Sequence, residues 1–404
     1  MNVYEAANSI SLKQVISHYT PVDVTDVRKN ISCPFHDDKS PSFKIYEHNN
    51  TFHCFSCKAN GTPINFIMAL KGVDALGAAE ELCQVFNKEY RKPKPVSPEE
   101  AQYLEVYEYA ANHFTAMLRH REAVAFDFFN KRKISPDIVA KYKLGYALST
   151  YVSKKTNKVF SFKELLMQNF PGISPELLDT YGLYDSFGTS MFAGRFVFPI
   201  HNKHGKIVGF AGRATTKDVP KYVNTAETKF FRKKEVLYNY HIAKRYPVIF
   251  VVEGYTDALS FLSEGIENVV ALMGTALTEE HIRLFKDKEI VLALDNDIRG
   301  QVRTVDIIQK FPDRKFKVYQ LQKYGDFNDK FVAGESVAIN IDKETVYAPE
   351  FLIQYYKKDL DLGYLYNREF LYNSVMDLAT NYSKLAQDYF EVILYRLLKG
   401  RKFK

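Results

Sequence analysis

Two short Cys/His knuckles near the start constrain this chain more than any other feature. Cys33 and His36 bracket two residues in CPFHDDKSPSF, seventeen residues follow, and Cys54 and Cys57 bracket two more in HCFSCKANG. Three thiolates and one imidazole make a closed tetrahedral donor set, the arrangement of structural Zn²⁺, and each knuckle aims two ligands at one ion. Core cysteines would not need this paired spacing. Gly61 follows the second knuckle and is free to take a positive φ. Phe35, Phe43, Phe52 and Phe55 are expected to pack about the site. His53 offers a substitute imidazole, but neighbours in a strand point to opposite faces, so Cys54 and His53 should diverge. Cys83 lies in an apolar helical pattern and reads as a core residue.

With 404 residues, two or three domains are expected, and 46% hydrophobic residues suffice for real cores. There are four cysteines and no secretory leader pattern, so spaced Cys/His reads as metal binding before disulfides. No apolar run approaches the roughly 18 to 20 residues that span a bilayer. A soluble, cytoplasmic protein without membrane contact is expected. The net charge is +7, and residues 195–245 hold twelve Lys/Arg against three Asp/Glu. Such a basic stretch suits a polyanion, the alternative being a solvated charged face.

The pattern divides the chain into a multidomain α/β (α+β) protein. Residues 1–90 form a small zinc-ribbon domain: ISLKQVISHY and PINFIMALKGVDALGAAEELCQVF carry helical periodicity, the latter interrupted at Gly72. Residues 91–102, with their prolines and mixed charge, read as a tether. Residues 103–245 form a mixed α/β basic lobe, helical to about Ser149, with RFVFPI and KIVGFAGR joined as a hairpin by HNKHGK. In residues 246–338 the apolar runs VIFVV, NVVALM, EIVLAL and KFKVYQL alternate with helical stretches, which implies a parallel sheet covered on both faces. Residues 339–404 read as a C-terminal helical segment.

Carboxylates stand at the ends of those strands: Glu253 in VIFVVEGYTDAL, Asp295 and Asp297 in IVLALDNDIRGQ, and Asp326 in YGDFNDKF. Loops beyond the C-termini of parallel strands gather at one crevice, so four carboxylates would share one site. Such crowding calls for cations, and hard oxygen ligands suit Mg²⁺ or Mn²⁺ holding phosphates. Helix capping would explain any one of these positions, though hardly all of them.

Taken together, the sequence resembles the DnaG-type primases of bacteria and their phages. Cys33, His36, Cys54 and Cys57, with SPSF after them, are similar to the family's CHC2 zinc-binding domain. GRFVFPIHNKHGKIVGFAGR and PKYVNTAET resemble the basic lobe of its RNA polymerase domain, and the Glu253, DND and GDFND segments its Toprim fold. The resemblance implies a DNA primase, a nucleotidyltransferase copying single-stranded DNA into short RNA from ribonucleoside triphosphates. It implies that Glu253, Asp295, Asp297 and Asp326 form the metal-dependent catalytic centre, and that Arg195, Arg213, Lys221 and Asn224 face nucleotides or template. Glu253 would activate the attacking hydroxyl or position a metal-bound water. Lys44, Tyr46 and Lys58 would read template bases from the zinc domain, unless FKIY is a core strand.

Three departures stand out. Asn296 replaces the family's usual Gly between the aspartates, a substitution that a positive φ would accommodate. The last acidic motif usually reads Asp-x-Asp, whereas here Asn328 takes the second position and Asp329 follows, which bears on a second metal. Bacterial members continue into a C-terminal helicase-binding domain, so any replicative helicase would contact this chain through another surface. The rivals are another Toprim enzyme, a nuclease or topoisomerase, for which Tyr255 would be a nucleophile rather than a packing residue, and a non-catalytic zinc- and DNA-binding protein.

Overall fold

The computed structural model describes residues 1–90, 96–118, 122–148, 150–152, 159–184, 189–362 and 364–398. It divides into two compact units, Met1–Val96 and Ser97–Lys404. Residues 91–95 of the expected tether and residues 399–404 of the C-terminal segment lie outside the described residues.

In the first unit, strands Phe43–Tyr46, Thr51–Cys54 and Asn60–Gly61 form an antiparallel sheet, with Phe43 opposite Cys54 and Ile45 opposite Phe52. The period of two sends Phe43, Ile45, Phe52 and Cys54 into the core and leaves Lys44, Tyr46 and His53 half-exposed. Gly61 has φ 138°, and a Cβ there would lie 2.5 Å from the Asn65 side chain. Only glycine fits that turn without strain. Helix Pro63–Lys71 follows, ending at Gly72 with φ 68°, and helix Ala75–Val85 packs back against it. The interruption expected at Gly72 is thus a left-handed helix cap. Cys83 is buried in this core, as its apolar setting implied.

The second unit begins earlier than composition suggested. Residues 98–102, read as tether, open the helix Pro98–Met117, because Ser97 caps it by accepting from the Glu100 N–H at 3.1 Å and proline suits a first helical turn. Its buried face, Tyr103, Val106, Tyr107, Ala110 and Phe114, lies on an antiparallel sheet ordered Gly145–Ala147, Arg195–His201, Ile207–Ala214, Tyr222–Asn224. The expected hairpin pairs Arg195 with Ala214 and closes at His201 and Ile207. Gly145–Ala147, expected to end a helical stretch, is instead a strand, since pairing with Arg195–Val197 overrides local periodicity.

The other sheet runs Val269–Ala271, Val248–Val252, Glu289–Leu292, Phe316–Tyr319, Thr345–Tyr347, the first four parallel and the last antiparallel. The first three of these strands are buried on both faces. Phe250, Val252, Val269 and Val291 face one core with helix Tyr255–Ser263 and the basic-lobe sheet, while Ile249, Val251, Val270 and Leu292 face the other. Helices Ile298–Lys310, Ala348–Lys357, Leu365–Ala379 and Lys384–Leu398 supply that second core. The segment read as wholly helical from 339 therefore also contributes an edge strand, Thr345–Tyr347, which a three-residue run is too short to announce.

Candidate metal centre and active site

In the first unit, one donor atom from each of Cys33, His36, Cys54 and Cys57 lies within 4.8 Å of the others. His36 Nδ1 is buried without a hydrogen-bond partner, while its Nε2 lies 3.6 Å from Asp38 Oδ1. That is the disposition of a metal-ligating imidazole backed by a carboxylate. Asp38 Oδ2 accepts from the Cys33 N–H at 2.9 Å and from the Ser42 N–H and hydroxyl at 3.0 Å, so it ties the first knuckle to Ser42, whose hydroxyl lies 3.3 Å from Cys54 Sγ of the second. The Cys57 N–H, 3.3 Å from Cys54 Sγ, and the Ser42 hydroxyl stabilise a thiolate there. They outweigh burial and draw Cys54 down to about 6. The residues fit zinc.

Phe35, Phe43 and Phe52 pack together as expected, but Phe55 is 50% exposed and sits edge-on to His53; Phe66 fills the place assigned to it. His53 is not part of the cluster. The Lys44 ammonium donates to the Val27 and Arg28 carbonyls, and that of exposed Lys58 to the Phe55 carbonyl. Tyr46 is half-exposed beside His48.

In the second unit, the parallel strands deliver their carboxylates to one place. Glu253 follows Val248–Val252, and Asp295 stands three residues beyond Glu289–Leu292. Asp297 caps Ile298–Lys310 by accepting from the Gly300 N–H at 2.7 Å, and Asp326 caps Phe327–Val332 by accepting from the Asp329 N–H at 2.7 Å. The Asn296 N–H donates to the Gly325 carbonyl at 2.9 Å and joins these two loops. Asn296 does so without the positive φ anticipated for it.

Sequence reasoning missed Asp257, which lies one helical turn beyond Glu253, a spacing that could have exposed it. It is buried, and its two oxygens accept from the Gly254 N–H at 3.2 Å and the Asn328 N–H at 3.1 Å. Burial, then Asp326, pushes Asp257 up to about 7. Burial, then Asp257, Glu253, Asp326 and Asp297, pushes Asp295 up to about 8. Burial also raises Glu253 and Asp329. These groups repel one another's charge, and a divalent cation with hard oxygen ligands is what such a donor set fits.

Asn328 is no ligand in waiting. Buried, it accepts from Arg132, donates to Ser260 Oγ at 3.0 Å, and gives its N–H to Asp257. Arg132, also missed, follows helix Glu122–Lys131 and lies over the Phe128 ring, as Arg213 does from strand Ile207–Ala214. A cationic strip thus runs from the basic lobe to Asp326. Arg213 donates to the Tyr222 hydroxyl at 2.7 Å, and Asn224 accepts from the Tyr255 hydroxyl at 2.6 Å. Lys221 is exposed at the start of that strand. Arg195, expected to face nucleotides, is only 8% exposed and donates to the Pro220 carbonyl at 2.8 Å, so its guanidinium anchors a loop. Tyr255 is 3% exposed and packs on Phe198, Tyr222 and Tyr238, a packing residue.

Residues 2–97 match the CHC2 zinc finger family, residues 113–244 the N-terminal domain of the DNA primase catalytic core, and residues 250–331 the Toprim-like family. A DNA primase of Mycoplasma pneumoniae is 29% identical over 94% of this chain and 64% of its own length. The chain spans less than two thirds of the curated relatives it matches. The zinc-binding and RNA polymerase domains of the Aquifex aeolicus primase share its fold at 24% identity and a TM-score of 0.58, covering 99% of this chain and 97% of that one. The DnaG primase catalytic domain bound to single-stranded DNA does so at 22% identity and a TM-score of 0.60, covering 75% and 98%. Zinc finger, primase core and Toprim segment follow one another in one chain, and the chain belongs to the DnaG-type DNA primase family.

Proposed function

We propose that this protein is a DNA primase, a nucleotidyltransferase that copies single-stranded DNA into short RNA primers for replication. The convergence of Glu253, Asp257, Asp295, Asp297 and Asp326 beside the Arg132–Arg213 strip carries this reading. In the reaction, the 3′-hydroxyl of one ribonucleotide attacks the α-phosphorus of the next triphosphate, and pyrophosphate leaves. Glu253, Asp295, Asp297 and Asp326 are the residues that would hold Mg²⁺ or Mn²⁺, which when bound neutralises charge developing on the phosphates. Asp257 holds the Glu253 and Asp326 loops together from beneath. Arg213 and Arg132 line the approach from the basic lobe, where Lys221 and Asn224 would also meet template or triphosphate. Arg195 supports that surface from within. The DNA held by the related catalytic domain supports a single-stranded template.

The zinc finger would engage template DNA, and a replicative helicase would be a further partner. The protein would work in the cytoplasm; no helix among the described residues is long and apolar enough to cross a membrane. Against the topoisomerase reading stands Tyr255, buried and donating its hydroxyl to Asn224. The test is synthesis from labelled ribonucleotides on single-stranded DNA with Mg²⁺ or Mn²⁺, beside Asp295→Ala. Short RNA that needs template, metal and Asp295 is expected; shortened DNA would replace this reading with a nuclease, and neither product with a binding protein.

A further inference from the structure

The carboxylate centre carries a cation of its own on two sides. Arg132 sits on Asn328, next to Asp326, and Arg303 pairs with Glu253. Arg303 belongs to the helix that Asp297 caps. It can reach Glu253 because Gly300, one turn earlier, puts nothing between them: a Cβ at 300 would lie 3.0 Å from Glu253 Oε1. Arg303 holds Oε2, whereas Oε1 is buried and without a hydrogen-bond partner. A groove of about 380 Å³ lies along the outer face of the helix, lined by Ile298, Arg299, Val302, Arg303 and Lys310. A guanidinium leaving Glu253 has room there.

A buried carboxylate without a counter-charge is costly, and the neighbouring carboxylates Asp295 and Asp297 make it more so. We propose that Arg303 is the built-in counter-cation of Glu253, holding it in the metal-free protein and giving it up when a divalent ion binds. The inference rests on the reading of these carboxylates as a Mg²⁺ or Mn²⁺ centre. Arg303 is then a positioning residue that competes with the metal, since like charges at one carboxylate exclude each other.

The test is Mn²⁺ binding by the full chain without nucleotide or DNA, read from the electron paramagnetic resonance signal of free Mn²⁺. Arg303→Gln should bind roughly 5-fold tighter than wild type, the sign set by removing a positive charge beside the ion. Arg303→Met, which keeps an apolar stem, should shift the same way if Arg303→Gln does not fold, and Arg303→Lys should stay near wild type. Arg299→Gln, which removes an exposed charge from the same helix, should change affinity by less than about 2-fold. Unchanged or weaker binding by the neutral variants, or an equal gain from Arg299→Gln, would overturn the proposal. Wild type that takes up no Mn²⁺ would remove it together with the metal-centre reading, whereas wild-type binding with no gain from Arg303→Gln would remove it alone.

Discussion

The zinc cluster and the carboxylate centre solve one problem, holding anionic donors close together, in opposite ways. The zinc ligands come from two knuckles, Cys33 to His36 and Cys54 to Cys57, joined by one small sheet. The carboxylates come from three strand ends, and the arginines that neutralise them from elsewhere, Arg132 from the lobe before the sheet and Arg303 from a helix of it. A local site gathers thiolates that repel one another at the surface of a small core, so its ion is expected to carry much of the folding energy. A distributed site depends on its fold to bring the ion's ligands together, and tolerates the repulsion between them until the ion arrives.

Removing the ion should therefore separate the two regions most sharply. Chelation of zinc from the full chain, or Cys54→Ser, should unfold residues 1–96, since zinc binding contributes on the order of 10 kcal/mol to the folding of such domains. The second unit should keep its own melting transition. Limited proteolysis with circular dichroism checks this, and a first unit that stays resistant after chelation would show its apolar core to be sufficient by itself.

At the carboxylate centre the expected sign is reversed. Asp295→Asn should lower RNA synthesis by roughly 10³-fold, having lost a ligand for a charge-stabilising ion, yet stabilise the metal-free protein. Asp295 and Asp257 sit near 8 and 7 when folded, against an ordinary aspartate at 3.8. The folded state thus keeps protons that the unfolded state has released, and stability falls as pH rises from about 4 to about 8. The buried histidines His113, His201 and His241 are drawn down by burial from 6.5 and act in the opposite direction at lower pH. Above about pH 6.5 the histidines no longer contribute, but a zinc-free Cys54, drawn down to about 6, would oppose the aspartates, so the comparison uses protein with zinc on its thiolates. Melting temperature should fall between about pH 6.5 and 8 in wild type without Mg²⁺ or Mn²⁺, fall less in Asp295→Asn, and fall least in wild type with Mn²⁺. Parallel curves would mean that the crowding carries no energetic weight.

The same contrast explains what could be read without a structure. Four zinc ligands were legible because their spacing is their geometry. Glu253, Asp295, Asp297 and Asp326 were legible because each ends an apolar strand, and strand ends in a parallel sheet converge. Asp257 was hidden inside a helical pattern in which a buried carboxylate looks like any polar position. Arg132 and Arg303 had no local signal, since their partners are 196 and 50 residues away. Arg195 misled for the related reason that sequence gives charge without direction: its guanidinium turns inward to the Pro220 carbonyl.

A smaller perturbation probes how finely the distributed site is set. At Gly300 an added Cβ would lie 2.1 Å from the Asp295 carbonyl oxygen, closer than atoms can sit, so Gly300→Ala must move either the Asp295 loop or the start of the helix. A displacement of about 1 Å at reacting groups costs on the order of 10²-fold in rate, and overpacking costs about 1–3 kcal/mol. Primer synthesis and a denaturant titration together check both. Full activity would mean that the loops adjust independently of the helix.

The smallest effect is expected where the carboxylate motif meets the basic lobe. The Tyr255 hydroxyl donates to Asn224 Oδ1 at 2.6 Å, while its ring lies 5.2 Å from that of Phe198, centre to centre. Tyr255→Phe removes the hydrogen bond and keeps the stack, and Asn224 is exposed enough for water to replace the lost donor. The loss should be about 1 kcal/mol of stability, with primer synthesis within about 2-fold of wild type. A packing residue behaves this way because the lobes are joined by apolar area and the hydroxyl only sets their register. A hundredfold loss of activity in a stably folded Tyr255→Phe would instead make the hydroxyl part of the chemistry and put a nucleophile back into the carboxylate motif.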